Sequence, residues 1–522
     1  MGRRIFRVVG VLGIVVLSLG IWFKWREQAA KADEAERLGR LQPFVEVAPA
    51  PLPKGLPLKG DEGTSAEGFP RQWVDQAGLR SLLIHKRFAQ LDAAFTHFQD
   101  AFEKDPHFER WPADATAAFG SSEPALRPLL DAWAKAFPES FAPRLARGAH
   151  LSAVAFAQRG TKVVQETSGG ELAEMRATLP LAHADLERAL ALRPKAVAAL
   201  TEEIHLSMLT GDAFAYADAV RRADERCPSC FLHRVAAMQA RRPRWGGSYD
   251  EMRALAASAP VVDNPRFKLL PGYALLDVAD VAIEDDRPAD ALTASDEACA
   301  LGDHWAFLKG RGHVLRHRKE YDAALVDLTR ALELRPGNPD VLVERAEVYL
   351  EQKKGELAAL DFIAALRVNP SHARGEQLYG PVVQTVIFQA WQAHLAGQRL
   401  DALRLLDLAS QVAPLDGEVL MRRGMVQEAT DAGIEELRAN ADAAPDDLRA
   451  QQALDYALAN ENHHEEAAAR WTRYLARNPE DGRAYMERAG AWNHLGRRPE
   501  TIADLEKACD FGVTEGCARL RK

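Results

Sequence analysis

The stretch from Trp305 to Pro370 constrains this chain more than any other, because it is one unit written twice. Gly312, Tyr321, Ala324, Leu328, Ala331 and Pro336 hold set places in the first copy. Ala346, Gly355, Ala358, Phe362, Ala365 and Pro370 hold the same places in the second, each 34 residues on (312 to 346). Small residues at the eighth, twentieth and twenty-seventh places let two antiparallel helices approach closely. A bulky residue at the twenty-fourth fills the gap, and the proline ends the second helix. Such a unit cannot bury its apolar face alone, so it must stack on neighbours of the same kind.

The same grammar recurs along the chain. Ala182, Leu186, Ala189 and Pro194 take matching places, and Pro228 follows with Ala223 and Val220 at the same offsets. Later come Ala390, Gly397, Ala402, Leu406, Ala409 and Pro414, a degenerate unit ending near Pro445, and a unit with Ala467, Trp471 and Pro479. The last carries Ala489, Trp492, Leu505 and Ala508. This spacing resembles the tetratricopeptide repeat. The resemblance implies an all-α fold, an α-solenoid of antiparallel helix pairs, that holds a protein or peptide partner and has no catalytic activity. The final string, Ala508-Cys509-Asp510-Phe511-Gly512 with Gly516-Cys517, is similar to the cysteine-bearing variant of Sel1-like repeats. A disulfide between Cys509 and Cys517 would pin the terminal helix of such a stack.

Upstream, Leu79, Leu82, Leu83, Phe88, Leu91, Phe95, Phe98 and Phe102 recur at helical spacing and predict a long hairpin. Phe137-Pro138-Glu139-Ser140 reads as one helix stop and the next start. In Arg242-Pro243-Arg244-Trp245-Gly246-Gly247-Ser248-Tyr249, the glycines permit a tight turn, and Ser248 and Glu251 have capping-box spacing for a following helix. Trp133, Arg159-Gly160 and Pro243, Arg244, Trp245, Gly246, Gly247 and Ser248 resemble an uncharacterised bacterial family of unknown function, number four thousand and thirty-four. The resemblance runs over roughly residues 75 to 300 and implies no activity.

The amino terminus bears on compartment. Arg3, Arg4 and Arg7 precede an uncharged apolar run from Val8 to Phe23, and Lys24, Trp25 and Arg26 follow it. With Arg7 snorkelling, the run is long enough to span a bilayer as one helix, with Trp22 and Trp25 at an interface. The competing reading is a cleaved signal peptide, but charged residues separate Ala30-Lys31-Ala32 from the apolar run, which favours an uncleaved anchor. Positive charge is denser before the span than after it. The expectation is therefore a single-pass inner (cytoplasmic) membrane protein, N-in/C-out, with its bulk in the periplasm of a bacterial cell. The expected organisation is a cytoplasmic tip and anchor over 1–26, a Pro/Gly-rich tether over 27–72, a helical domain over 73–300, two clear repeats over 301–372 and degenerate repeats over 373–522.

Chemistry-bearing strings are few. Cys227-Pro228-Ser229-Cys230 reads as a local disulfide in an oxidising compartment, with a redox dithiol as the alternative. The second function class follows from it, a thiol-active factor or other enzyme acting through the Cys227–Cys230 and Trp245 region. No two further ligands stand nearby for zinc, and Phe231 replaces the histidine that haem attachment needs. Cys299 is left over. His463-His464-Glu465-Glu466 reads as a polar turn and helix start rather than a metal site. Lys309, His313 and Arg316 fall on one first-helix face, so they are candidates for groove contact with a carboxylate or acidic peptide. A carboxylate clamp would need basic or amide residues to continue into the next unit, where Val343, Glu347 and Leu350 stand instead. No phosphate loop, nucleophile elbow or metalloprotease helix is present, so no cofactor or metal is expected. A formal charge of −9 argues against a nucleic-acid partner.

Overall fold

The computed structural model describes residues 49–520 apart from 65–68, 161–166, 262–263, 427–430 and scattered single positions. The expected anchor at 1–26 lies outside the described residues. Among those described, no helix is long and apolar enough to cross a membrane. Two compact units divide the chain. One comprises residues to Glu344 together with Ala364–Gly375, and the other Arg345–Ile363 together with Glu376–Lys522.

The first unit opens with a small antiparallel pair, β1 (Leu58–Lys59) and β2 (Trp73–Val74), the one sheet among the described residues. Helices then follow: α1 (Gln76–Ile84) and α2 (Phe88–Lys104), α3 (Arg110–Ala117) and α4 (Leu126–Ala136), then the hairpin of α5 (Ala142–Arg159) with α6 (Gly169–Leu192), and α7 (Val197–Thr210), which pairs with the helix after it. After α8 (Ala213–Arg226), α9 (Leu232–Ala240) and α10 (Tyr249–Ser258) come α11 (Gly272–Glu284) with α12 (Pro288–Ala300), and α13 (Trp305–His317) with α14 (Tyr321–Leu334). Helices α15 (Pro339–Glu351) and α16 (Gly355–Val368) carry the second clear repeat. In the second unit α17 (Gly375–Leu395) pairs with α18 (Arg399–Val412), and later hairpins include α19 (Leu448–Asn460) with α20 (His464–Arg477) and α21 (Gly482–His494) with α22 (Arg498–Asp510). Helices Gly417–Val426 and Asp431–Ala443 lie between α18 and α19.

The small-residue rule is visible in the coordinates. Ala324, Leu328, Ala331, Ala346, Ala358, Phe362 and Ala365 are all fully buried. A Cβ added to Gly312 would sit 2.8 Å from the Leu328 side chain, and one added to Gly355 would sit 2.7 Å from the Thr385 backbone. These are places where a methyl group has no room. A second device recurs, an Arg paired with an Asp 16 residues later. Arg311 grips Asp327 with two hydrogen bonds (2.7 and 2.9 Å), Arg345 grips Asp361 (2.6 and 2.8 Å), and Arg488 grips Asp504 (2.8 and 2.7 Å). Each pair joins the first helix of a hairpin to the second through a fork-to-carboxylate contact. The turns within the hairpins are also alike, since Lys86, Asp286, Lys319, Lys353 and Asn462 all take positive φ there. A residue in that region reverses the chain within a few positions.

Two boundaries differ from expectation. The described part of the Pro/Gly-rich tether is docked rather than extended. Ser81 donates to the Ala50 carbonyl at 2.6 Å, Gln90 donates to those of Pro53 and Gly55, and Leu58 and Lys59 pair with Val74 and Trp73. Its prolines suit an edge segment that needs few donors. Nor does a boundary fall at residue 300. An added Cβ on Gly310 would meet Leu276 at 2.5 Å, and one on Gly272 would meet Phe307 at 2.3 Å, so the clear repeats stack directly on the helices before them.

Two substitutions test the seam. Gly312→Val should lower stability by about 1–3 kcal/mol through overpacking against Leu328. Gly490→Ala, where nothing lies within 4 Å, should raise it by about 0.5–1 kcal/mol through helix propensity. Thermal unfolding of the two variants checks both signs.

Candidate functional site

Cys227 and Cys230 are joined by a disulfide, with Cα atoms 5.3 Å apart, and the flanking residues end α8 and begin α9. Both half-cystines are buried, at 3% and 1% exposure. Cys299 is a half-buried free thiol, pushed up to about 11 by burial. Cys509 is half-buried near the end of α22, and Cys517, its expected partner, lies outside the described residues.

The basic row on α13 is partly occupied from within. His313 Nδ1 lies 2.9 Å from Glu344, Arg316 donates to the same oxygen at 2.9 Å, and Arg374 donates to the other at 2.7 Å. Glu344 is 1% exposed, and although burial works against its ionisation, His313, Arg374 and Arg316 hold its carboxyl well below the usual range. The glutamate in the next repeat thus consumes two of the three donors offered for a groove ligand. Lys309 acts on Asp280, a carboxyl that burial pushes up. The three residues do lie together, but among opposite charges.

The residues of the family string also meet. Arg159 stacks over Trp245 at 5.3 Å, and Phe156 meets the same ring edge-on at 6.2 Å. Gly160 and Gly246 take positive φ, and Gly247 lies against Arg241, whose carbonyl a Cβ would approach to 2.3 Å. Pro243, Arg244 and Trp245 form one 3-10 turn. The Ser248 hydroxyl accepts from the Glu251 amide at 3.2 Å, as the capping spacing predicts. Trp133 is elsewhere, fully buried edge-on to Phe95 at 5.5 Å. These residues shape the fold. His464 starts α20 and stacks on His494 at 4.5 Å, while Glu466 pairs with Arg438.

One cavity of the first unit was not signalled by any motif. It encloses about 850 Å³ and is lined from distant parts of the sequence, among them Phe69, Arg110, Arg266, His304, Trp305 and Arg335. Two contacts return the later helices of the unit to its earliest ones. Arg110 donates to the Leu334 carbonyl at 3.1 Å, and Arg335 donates to Asp114 at 2.7 Å. Arg335 also lies over Trp305 at 4.7 Å, and Arg266 over Phe69 at 3.1 Å. A guanidinium stacked on a ring presents its N–H groups at the edge, and one edge of Arg335 is taken by Asp114. Glu109, 6% exposed, caps α9 from outside by accepting from the Phe231 and Leu232 amides at 2.9 and 3.1 Å. Burial pushes its carboxyl up.

The field in the cavity is positive where it meets neutral groups. Burial first, then Arg266, Arg110 and Arg335, hold His304 down to about 3. Its Nε2 lies 2.9 Å from the Tyr273 hydroxyl, whose ionisation burial suppresses. Burial and the neighbouring Arg335 lower Arg110 itself to about 10. A neutral imidazole and a phenol thus face three arginines, while Glu109, Glu202, Asp303 and Asp340 line the same space and Asp114 pairs with Arg335.

Residues 315–378 match the tetratricopeptide repeat model, and residues 75–213 match the model of a domain of unknown function, DUF4034. This chain carries tetratricopeptide repeats. The second match stops short of the Pro243–Ser248 string, so it is narrower than the span expected from sequence. Arg110 falls in one matched segment and Arg335 in the other. The Hsp70-Hsp90 organizing protein 3 of Arabidopsis thaliana is 25% identical over 224 residues, which cover 40% of this chain and 38% of that one. The Hsp70-Hsp90 organizing protein 1 of Glycine max is 24% identical over 214 residues, 39% of this chain and 35% of that one. The chain therefore spans a little over a third of the length of these curated relatives. Among solved structures, yeast Tom70 is 13% identical with a TM-score of 0.25, covering 85% of this chain and 94% of that one.

The buried histidines give a pH signature. His304 is held near 3, and burial holds His150, bonded to the Ser121 carbonyl, near 4. Both stay neutral in the fold while the unfolded chain takes up protons near 6.5, so stability falls as pH drops below that value. Each should contribute a loss of about 2 kcal/mol by pH 5. His150→Gln should flatten the slope of melting temperature against pH, whatever it does to stability at pH 7.

Proposed function

We propose that this protein is a membrane-anchored helical-repeat scaffold of the bacterial cell envelope, N-in/C-out, which holds an acidic segment of a protein partner in the cavity of its first unit. The observation that carries the reading is the convergence of Arg110, Arg266 and Arg335 on one aromatic-lined space. Carboxylates are the protein groups that such forks bind best. The relatives named as organizing proteins for Hsp70 and Hsp90 favour an assembly role for the repeats, which this reading extends to the present chain. The anchor rests on the apolar run from Val8 to Phe23 and its flanking charges. The competing idea of a thiol-active factor meets the burial of both half-cystines, which leaves a second thiol little access.

Binding is tested with the full chain in detergent and a short labelled Glu-rich peptide, against its Gln counterpart. The Glu peptide should bind in a salt-sensitive way, and Arg266→Gln should weaken it roughly tenfold or more. Equal binding of both peptides, or an unaffected variant, would remove this reading. Protease treatment of intact cells and of sphaeroplasts tests topology, since digestion only in sphaeroplasts is the expected result.

A further inference from the structure

Away from the cavity, His183, Glu187 and Glu203 bring three ligand atoms within 4.8 Å of one another. His183 and Glu187 stand one helical turn apart on α6, so they share a face. Glu203 comes from the next helix, α7. His183 Nδ1 lies 3.0 Å from a Glu203 oxygen. The Glu203 side chain is 11% exposed, so little water reaches its carboxylate. Two carboxylates that close, one of them desolvated, are an arrangement that a cation relieves.

The neighbour that argues against a metal also prepares the site for one. Arg222 holds both oxygens of Glu187, at 2.7 and 3.0 Å. Each carboxylate oxygen keeps a second lone pair, so the fork orients Glu187 without exhausting it, as outer partners of metal ligands do. His183 is 60% exposed, which leaves the outer side of the cluster to solvent.

We propose that His183, Glu187 and Glu203 form a binding site for one zinc-class divalent cation, clamping α6 to α7 with a coordination position left to water or to a partner side chain. One imidazole and two carboxylates are a set that zinc accepts, and three protein ligands with an open fourth place make an exchangeable rather than a closed site. Binding replaces the His183–Glu203 hydrogen bond. Nδ1 then gives its lone pair to the metal, and its proton moves through solvent to Nε2, so the neutral ring stays neutral. This site shares no residue with the arginine cavity, and its failure would leave the peptide reading untouched.

The test is calorimetric titration of chelator-treated full chain with Zn2+, repeated with Co2+ to read visible d–d absorption. One equivalent is expected. His183→Ala and Glu203→Gln should each weaken it roughly tenfold or more, and Arg222→Lys, which keeps the charge but loses the fork, should weaken it several-fold. His464→Ala, which removes one ring of the His464–His494 stack, should leave that equivalent intact. Far-UV circular dichroism confirms that the variants fold. No stoichiometric binding, or binding that survives His183→Ala and Glu203→Gln, would overturn the assignment.

Discussion

Close approach at positions too small for a side chain is the constraint on which the first unit depends. Gly312 against Leu328 fixes the spacing within a hairpin, and Gly310 against Leu276 and Gly272 against Phe307 fix it between hairpins. Protein interiors are packed densely enough that one extra carbon at such places must displace its neighbour. The step from pair to pair is therefore set, and the Arg311–Asp327 fork holds the angle of the hairpin at its half-buried edge. With the step set, the end of α14 returns to α3, where Arg110 and Arg335 make the contacts that close the cavity.

Function follows from that return. An arginine in a surface loop is worth little to a ligand, because water screens it. Here the same groups stack on Trp305 and Phe69 and share a partly enclosed space, which raises the value of each hydrogen bond they make. The internal charges of the α13 face show the opposite outcome. Glu344 supplies the anion from the chain itself, so His313 and Arg316 act as an intramolecular latch.

Helix pairing was legible in the sequence because it obeys a local rule. Ala324, Leu328, Ala331 and their second-copy counterparts, read from a 34-residue spacing, are buried where that spacing puts them. The Arg–Asp fork carried a signal that went unread: an Arg with an Asp sixteen residues later at 311, 345 and 488. The cavity had none, since Arg110 and Leu334 are 224 residues apart and only the accumulated step of several hairpins brings them together. The docking of Ala50 to Gly55 was hidden for another reason. Proline and glycine content marks the absence of helix, whether the segment is free or packed, and here it is packed against α1 and α2. The outer pairing of His183 and Glu187 with Glu203 was half visible as an i, i+4 pair, but the third member arrives from the next helix.

Closure of the first unit is best measured by electron–electron distance spectroscopy. Nitroxides at Ala117→Cys on α3 and Glu333→Cys on α14, both exposed positions, in a Cys299→Ser background, span the contact. The account predicts one narrow distance population, which broadens when Arg110 and Arg335 are both replaced by Gln. A broad distribution in the chain with both arginines intact would contradict it.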